Sequence, residues 1–233
     1  MAGKTISDWI VEARKRKVDL ENFDSDKKED MLRLKKYELP QFHYLELPYS
    51  EFSEDNPKLK DFFSRYKGVC IRAIPNQGGK IKGFTRKYKM GRLSYKKCRK
   101  FLDGVIRENV KDYDIVMNDW EPNIYGFVLI SGPRHVFGEI GKNLETLSHG
   151  DETPLATFDI DRRKIGHLEN KITWLNKEDE EAAKYLLKAL NHIKAPWDNF
   201  DPVFLRGYFE GVVTKTGIKF LDYKTNQAYT KGS

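Results

Sequence analysis

Two acidic residues near the end of the chain, Glu210 and Asp222, are spaced so that a β-hairpin would bring them together. The runs VFLRGYFEGVVT and IKFLDY have the composition of strands and are separated by Lys215-Thr216-Gly217. A three-residue loop with Gly217 in the left-handed conformation predicts the cross-strand pairs Thr214–Ile218, Val212–Phe220 and Glu210–Asp222. Carboxylates that face each other repel, so we expect a counter-charge between them, either a divalent cation such as Mg²⁺ or the amine of Lys224.

A glycine-rich segment, NQGGKIKG at residues 76–83, has the residue types of a loop that folds over phosphates. Gly78 and Gly79 allow close approach of the backbone, and Lys80 supplies positive charge. The Walker sequence, which ends in GKS or GKT, is absent. An exposed hairpin tip kept soluble by lysine is the alternative interpretation.

The strand before this segment, VCIRAI, carries a third candidate, Arg72. Strand alternation puts Val69, Ile71 and Ala73 on one face and leaves Arg72 on the other. We therefore expect Arg72 to point into a cleft between two sheets, beside the 76–83 segment. An ion pair with a neighbouring acid is the alternative.

Helices and hairpins must position these residues. Capping and periodicity predict a first helix from Thr5, a short helix in MLRLKKYELP ended by Pro40, and a helix after Asn56-Pro57 with Gly68 as its C′ residue. Further helices are predicted after Ser94 and from about Asn176 to Pro196. The predicted strands are FHYLEL, VCIRAI, FTRKYKM, YDIVMND, IYGFVLIS, HVFGEI, ATFDID and the closing hairpin. This alternation predicts an α+β fold built from antiparallel hairpins.

Composition limits the function classes. The 233 residues carry 42 Lys and Arg against 35 Asp and Glu, a formal net charge of +7, which favours an anionic partner such as a nucleotide, a nucleic acid or an acidic metabolite. Two cysteines exclude a disulfide framework and indicate a reducing compartment. No apolar run reaches the roughly 20 residues of a membrane span, and the N-terminus lacks the apolar region of a signal peptide. We expect a cytoplasmic protein without a membrane partner.

The order of these segments resembles the ATP-grasp superfamily over about residues 30–228. The segments that carry the resemblance are MLRLKKYELP, GVCIRAIPNQGGKIKG, DIVMNDWEPNIYGFVLI and GYFEGVVTKTGIKFLDYKTN. Members of that family bind ATP between two α+β subdomains and mostly join a carboxylate to a nucleophile. The resemblance implies residues 1–30 as an N-terminal helix and connection, 31–118 as a first subdomain, and 119–233 as a second. Residues 1–30 are too short for the α/β domain that usually precedes this core.

The resemblance also implies roles for individual residues, with ATP and Mg²⁺ as cofactors. Arg72, Gly78, Gly79 and Lys80 would contact phosphates, Asp119 would lie at the adenosine edge, and Glu210, Asp222 and Asn226 would bind Mg²⁺. Arg134 or Lys142, in a polar segment between strands, would bind the anionic group of the acceptor. Arg72 replaces the usual lysine, and Lys224 stands where the family has asparagine. The implied activity is that of an MgATP-dependent ligase or kinase acting on a small carboxylate or another small anionic acceptor.

Two other function classes compete with the enzyme. From Lys80 to Lys100 the chain has ten basic residues and no acidic one, interleaved with Phe84, Tyr88 and Tyr95. Such a surface can follow phosphates and stack on bases, which indicates a nucleic-acid-binding protein. The other alternative is a nucleotide-binding module without catalysis.

Overall fold

The computed structural model divides the chain into two compact units, and each is described by itself. The smaller unit comprises residues 42–122, and the larger unit comprises residues 1–41 together with 123–233. The structure describes residues 11, 14, 27–75, 88–106, 113–132, 135–161, 172–195 and 203–225. Most of the predicted N-terminal helix lies outside these residues. The helix that precedes residue 41 groups with the larger unit.

The described residues contain five α-helices and twelve strands. The helices are α1 (Lys27–Lys36), α2 (Pro57–Arg65), α3 (Tyr95–Val105), α4 (Leu144–His149) and α5 (Glu180–His192), with a short 3₁₀ helix at Tyr49–Glu51. The strands are β1 (Tyr44–Pro48), β2 (Val69–Pro75), β3 (Tyr88–Gly91), β4 (Tyr113–Asp119), β5 (Asn123–Ser131), β6 (His135–Gly141), β7 (Ala156–Asp161), β8 (Ile172–Lys177), β9 (Lys194–Ala195), β10 (Val203–Phe204), β11 (Gly207–Thr214) and β12 (Gly217–Lys224). The α+β fold class predicted from the sequence is confirmed.

The smaller unit is a four-stranded antiparallel sheet in the order β1-β4-β2-β3. Leu59 of α2 and Leu102 of α3 pack in one core with Val69, Ile71 and Ala73 of β2. Both helices start where the sequence predicts, because the side chain of Asn56 accepts a hydrogen bond from the backbone N–H of residue 58, and Ser94 accepts one from residue 97.

Gly68 does not have the role predicted for it. Helix α2 ends at Arg65, and its C-cap Tyr66 is extended, so no left-handed glycine ends the helix. Gly68 instead lies where two backbone segments meet, because a Cβ at this position would be 2.1 Å from the carbonyl oxygen of Trp120. Close approach, and not helix termination, explains the glycine.

The larger unit is a six-stranded antiparallel sheet in the order β12-β11-β5-β6-β7-β8. One face packs on α5 and α1 through a core that includes Phe127, Phe209 and Leu186. The opposite face packs on α4 through a smaller cluster that includes Val128 and Leu147. The two faces of the sheet thus pack in different clusters.

Two boundaries in this unit differ from the sequence prediction. Helix α1 extends from Lys27 to Lys36 and is closed by Glu38 in the left-handed conformation, at φ 52°, before Pro40 is reached. The last long helix begins at Glu180, because the cap is Asp179, whose carboxylate accepts two backbone N–H groups. Residues 172–177, which the sequence analysis did not assign to a strand, form β8 at the edge of the sheet.

Candidate functional site

The closing hairpin has a two-residue loop, so the three-residue loop predicted from Gly217 is wrong. Thr214 pairs with Gly217 and Val212 pairs with Lys219, which leaves only Lys215 and Thr216 in the turn. The Thr214 hydroxyl stabilises this tighter turn, because its oxygen accepts the backbone N–H of Thr216 at 3.3 Å and donates to the carbonyl of Gly217 at 3.2 Å. Sequence reasoning had no access to this side-chain bond.

Glu210 nevertheless pairs with Asp222, as predicted, because a β-bulge corrects the register. Gly211 is opposite Phe220 and Glu210 is opposite Asp222, so Leu221 is an extra residue on β12. One inserted residue reverses the parity of the pairing and returns the two carboxylates to one face.

Gly211 makes this arrangement sterically feasible. A Cβ at residue 211 would lie 2.2 Å from the ring of Phe127 and 2.7 Å from the carbonyl oxygen of Lys219. Phe127 is fully buried and pairs with Gly211 across β5 and β11, so the ring fills the space above the glycine. A side chain at residue 211 would therefore clash with Phe127 and β12 next to the acid pair.

The acid pair lies on the face of the sheet opposite the main core. Phe209, Phe220 and Tyr223 point toward that core, whereas Tyr208 and Glu210 lie on the other face. Glu210 pairs with Val128 on β5, and Val128 pairs with Glu139 on β6. Both members of the acid pair are half-buried, and Glu139 is 5% exposed.

Tyr208 is in direct contact with Glu210. Its hydroxyl donates a hydrogen bond of 2.5 Å to Oε1 of Glu210. Burial, the charge of Glu210, the hydrogen bond to it and the charge of Glu139 raise the pKa of Tyr208, so the phenol keeps its proton. The sequence analysis did not select Tyr208, although its position two residues before Glu210 on a strand was a usable signal.

Two lysines lie on the same face as the acid pair. Lys224 is paired with Tyr208, and Lys219 is paired with Val212, so the lysines flank the row that holds Glu210 and Asp222. The described residues contain no group of three or more His, Cys, Asp or Glu side chains arranged to hold a metal ion. The face thus presents two carboxylates with basic neighbours.

Arg72 lies on the face of the four-stranded sheet that α2 and α3 do not cover. Its strand neighbours Val69, Ile71 and Ala73 are in the core, as alternation predicts. The guanidinium lies 5.7 Å from the centre of the Tyr88 ring, and the residue opposite it on β4 is Val116. The position of Arg72 relative to the other sheet stays a prediction.

Asp119 emerges from the other face of that sheet. It pairs with Val69, three residues before Arg72 on a strand whose register is uninterrupted, so the two side chains point in opposite directions. The backbone N–H of Asp119 donates to the carbonyl of His43 at 3.0 Å, and its carboxylate lies 3.7 Å from Nδ1 of His43. The sheet does not bring Arg72 and Asp119 together.

A pocket of about 310 Å³ opens beside Asp119 within the smaller unit. Tyr66 and Trp120 supply aromatic surface, and Lys67 and Arg92 supply positive charge. Its walls are fixed, because the N–H of Trp120 donates to the carbonyl of Gly68 and the Tyr66 ring stacks on His43. Sequence reasoning did not identify this pocket.

The remaining predicted site residues are only partly described. Lys142 directly follows β6, is exposed, and its backbone N–H donates to the carboxylate of Glu152. The other predicted residues, Gly78, Gly79, Lys80, Arg134 and Asn226, lie outside the described residues. All of these role assignments stay predictions.

Comparison with known proteins finds similarity at the level of structure. No protein-family model matches the chain, and no curated protein matches its sequence. The D-alanyl-alanine synthetase A of Vibrio cholerae matches with 8% identity and a TM-score of 0.42, over 87% of this chain and 55% of that one. The D-alanine–D-alanine ligase of Coxiella burnetii matches with 7% identity and a TM-score of 0.43, over 89% and 50%.

A third solved structure that the chain matches is an ATP-grasp ligase. The Chryseobacterium gregarium RiPP-associated ATP-grasp ligase, in complex with ADP and a leader and core peptide, matches with 10% identity and a TM-score of 0.36, over 85% of this chain and 51% of that one. The chain spans about half the length of the solved structures that it matches. An ATP-grasp ligase is one of the solved structures to which the chain is similar. Separately, the helices in the described ranges are all too short or too polar to cross a lipid bilayer.

Proposed function

We propose that the protein binds a magnesium nucleotide and acts as an ATP-dependent ligase or kinase on a small carboxylate or another small anionic acceptor. The observation that carries this proposal is the pairing of Glu210 with Asp222 on one face of the sheet. Two carboxylates that face each other on neighbouring strands repel, and a bound cation would offset that repulsion.

The residues present fit Mg²⁺ in a nucleotide complex. Mg²⁺ usually keeps several waters and is held in proteins by one or two carboxylates together with substrate phosphates. Glu210 and Asp222 supply that number of carboxylates. Asn226 stays a proposed additional ligand. Metal held there would neutralise phosphate charge during transfer.

The chain's own residues have distinct proposed tasks. Glu210 and Asp222 hold it, and Lys219 and Lys224 add positive charge on the same face. We propose that phosphates are contacted by Arg72, Gly78, Gly79 and Lys80, that Asp119 lies at the adenosine edge, and that Arg134 or Lys142 binds the acceptor. Because phosphoryl transfer needs little covalent help, positioning and charge are the contributions expected from these side chains.

Thermal unfolding with ATP, in the presence and absence of Mg²⁺, tests the proposal. We expect Mg²⁺-dependent stabilisation, which reaches about 2.7 kcal/mol at a ligand concentration of one hundred times Kd. Glu210→Gln and Asp222→Asn should each abolish it. Asp151→Asn, which removes an exposed carboxylate elsewhere in the larger unit, should not. A wild-type protein without Mg²⁺-dependent stabilisation, or a double variant that keeps it, would refute the metal site.

Product analysis then separates the reaction types. With a panel of small carboxylates and amines, release of ADP with a phosphorylated acceptor identifies a kinase, and release of ADP with an amide identifies a ligase. Nucleotide binding without either product supports the non-catalytic module instead. This experiment is informative only after the binding experiment has succeeded.

Nucleic-acid binding is the second candidate, and one observation favours it. The described part of the basic stretch exposes Lys89, Arg92, Lys96, Lys97 and Lys100, and Tyr88 beside them is 48% exposed. A salt titration of binding to a generic oligonucleotide tests this function. A steep dependence of log affinity on log salt, with sub-micromolar Kd at physiological salt, would rank it above the nucleotide enzyme.

A further inference from the structure

Tyr208 places a polar group inside the apolar cluster next to the acid pair. The residue is 2% exposed and packs with Val128, Ile130, Phe137 and Leu147. A buried hydroxyl needs a hydrogen-bond partner, and here the hydroxyl donates to Oε1 of Glu210 at 2.5 Å. The ring is therefore held by packing at one end and by a carboxylate at the other.

The phenol is a permanent donor in this setting. A tyrosine phenol is a hydrogen-bond donor at neutral pH, and here the ring is 2% exposed and its hydroxyl lies 2.5 Å from Oε1 of Glu210. A protonated donor fixed by packing restricts the rotation of the carboxylate that accepts its hydrogen bond.

We propose that Tyr208 is a positioning residue for the metal site, because its hydroxyl fixes Oε1 of Glu210 and so orients that carboxylate for a cation shared with Asp222. This inference rests on the proposed function, since it requires that the acid pair binds Mg²⁺. Groups that hydrogen-bond to metal ligands typically change metal affinity by about 10- to 100-fold when they are removed.

The chain offers a matched control for the loss of a buried hydroxyl. Tyr223 is 1% exposed, lies on the neighbouring strand β12, and donates its hydroxyl to the backbone carbonyl of Arg206 at 3.0 Å. Its ring stacks on Phe209 in the main core, on the other face of the sheet from Glu210. Tyr223→Phe therefore removes a buried hydrogen bond without touching the acid pair.

The test compares Tyr208→Phe with Tyr223→Phe in the full-length protein. At a fixed concentration of ATP, Mg²⁺ is titrated and nucleotide binding is followed calorimetrically. Mn²⁺ binding, followed by electron paramagnetic resonance, gives a second readout that does not depend on turnover. We expect the apparent metal affinity to fall tenfold or more in Tyr208→Phe and to change less than twofold in Tyr223→Phe. Thermal unfolding without ligand should show similar losses of stability in both variants.

The outcomes separate the two proposals. Wild-type protein that binds ATP equally well with and without Mg²⁺ would overturn the metal site and this inference with it. Wild-type binding that depends on Mg²⁺, with equal metal affinity in the two phenylalanine variants, would overturn the role of Tyr208 alone. If Tyr208→Phe does not fold, ¹³Cζ-labelled tyrosine in the wild type replaces it, because Mg²⁺ with ATP should shift the Tyr208 resonance and leave that of Tyr223 in place. An unshifted Tyr208 resonance would overturn the inference.

Discussion

Each unit contains one pair of candidate residues on neighbouring strands, and the strand register separates one pair and brings the other together. In the smaller unit, Arg72 and Asp119 belong to neighbouring strands with uninterrupted pairing, and Asp119 is level with Val69. An offset of three residues puts the two side chains on opposite faces. In the larger unit, Glu210 and Asp222 are directly opposite each other and share a face.

The difference between the two pairs comes from a single inserted residue. The tight loop at Lys215-Thr216 would have put Glu210 and Asp222 out of phase, and the bulge at Leu221 restores their phase. No bulge interrupts the pairing of β2 with β4, so the parity there is set by the strands alone. Side chains alternate between the two faces of a strand, so a single extra residue changes which face a given side chain lies on.

The largest effect is expected from a substitution that fills the space next to the bulge. Gly211→Ala would place a methyl group 2.2 Å from the buried Phe127 ring and 2.7 Å from a backbone oxygen that cannot easily move. We expect a loss of stability of about 3 kcal/mol, which lowers Tm by several degrees. Differential scanning calorimetry measures it.

Gly104→Ala is the control for this glycine substitution. Gly104 is an exposed residue in α3, and no atom lies within 4 Å of the position its Cβ would take. Alanine in a helix should raise stability by up to about 1 kcal/mol. Equal effects of the two substitutions would show that Phe127 adapts and that the bulge tolerates a side chain.

Substitutions on the two faces of the smaller sheet should separate Arg72 from Asp119. Arg72→Met is expected to weaken ATP binding about tenfold, the value of one charge-assisted contact, whereas Asp119→Asn should weaken it less, because the amide keeps an oxygen acceptor for the adenosine edge. Calorimetric titration measures both affinities, with Lys60→Met as the control for loss of an exposed cation. If only Asp119→Asn weakens ATP binding, the nucleotide binds in the pocket beside Trp120 and not over Arg72.

The sequence was sufficient for features that depend on local chemistry. Asn56 and Ser94 begin helices, and the alternation of Val69, Ile71 and Ala73 defines the buried face of β2. Features that depend on tertiary packing were not accessible. The bulge opposite Glu210 lies beside Gly211, which packs against Phe127, a residue more than eighty positions away, and strand β8 forms by pairing with β7.

The same limit applies to the candidate site. The facing of Glu210 and Asp222 is confirmed, but the loop length from which it was predicted is wrong. The spacing of Tyr208 and Glu210 puts both side chains on one face of a strand, but the hydrogen bond between them depends on packing that the spacing does not show. The pocket at Trp120 has no residue spacing that identifies it. Register within one hairpin is partly readable from sequence, whereas the neighbours of a side chain across several strands are not.

Double-mutant cycles should show coupling in one pair and additivity in the other. Without ligand, Glu210→Gln and Asp222→Asn should each raise stability by a few tenths of a kcal/mol, because each removes the same repulsion. The double variant should then gain less than the sum. Arg72→Met and Asp119→Asn share no partner across the sheet, so their effects should add within about 0.5 kcal/mol. Urea unfolding measures all six variants, and additivity in the acid pair would mean that the carboxylates do not interact.

The smallest effect is expected at Tyr88, the aromatic residue opposite Arg72 on the edge strand β3. The ring is 48% exposed and lies 5.7 Å from the Arg72 guanidinium, so Tyr88→Leu removes a solvated cation–π contact. Such contacts contribute about 0.5–1 kcal/mol at exposed sites, and leucine keeps part of the packing, so stability should fall by less than about 1 kcal/mol.

Ligand binding makes the Tyr88 experiment decisive for the Arg72 face. If the ring orients the guanidinium toward a phosphate, Tyr88→Leu should weaken ATP binding two- to threefold, less than the tenfold expected for Arg72→Met itself. The matched control is Tyr49→Leu, which removes the other described arginine–tyrosine contact of this unit, that of Arg99 at 5.1 Å. Tyr49 is buried and bonded to Asp103, so its substitution should cost more stability and leave ATP affinity unchanged. Equal ATP affinity in wild type and Tyr88→Leu, with a clear loss in Arg72→Met, would mean that Arg72 acts without the ring.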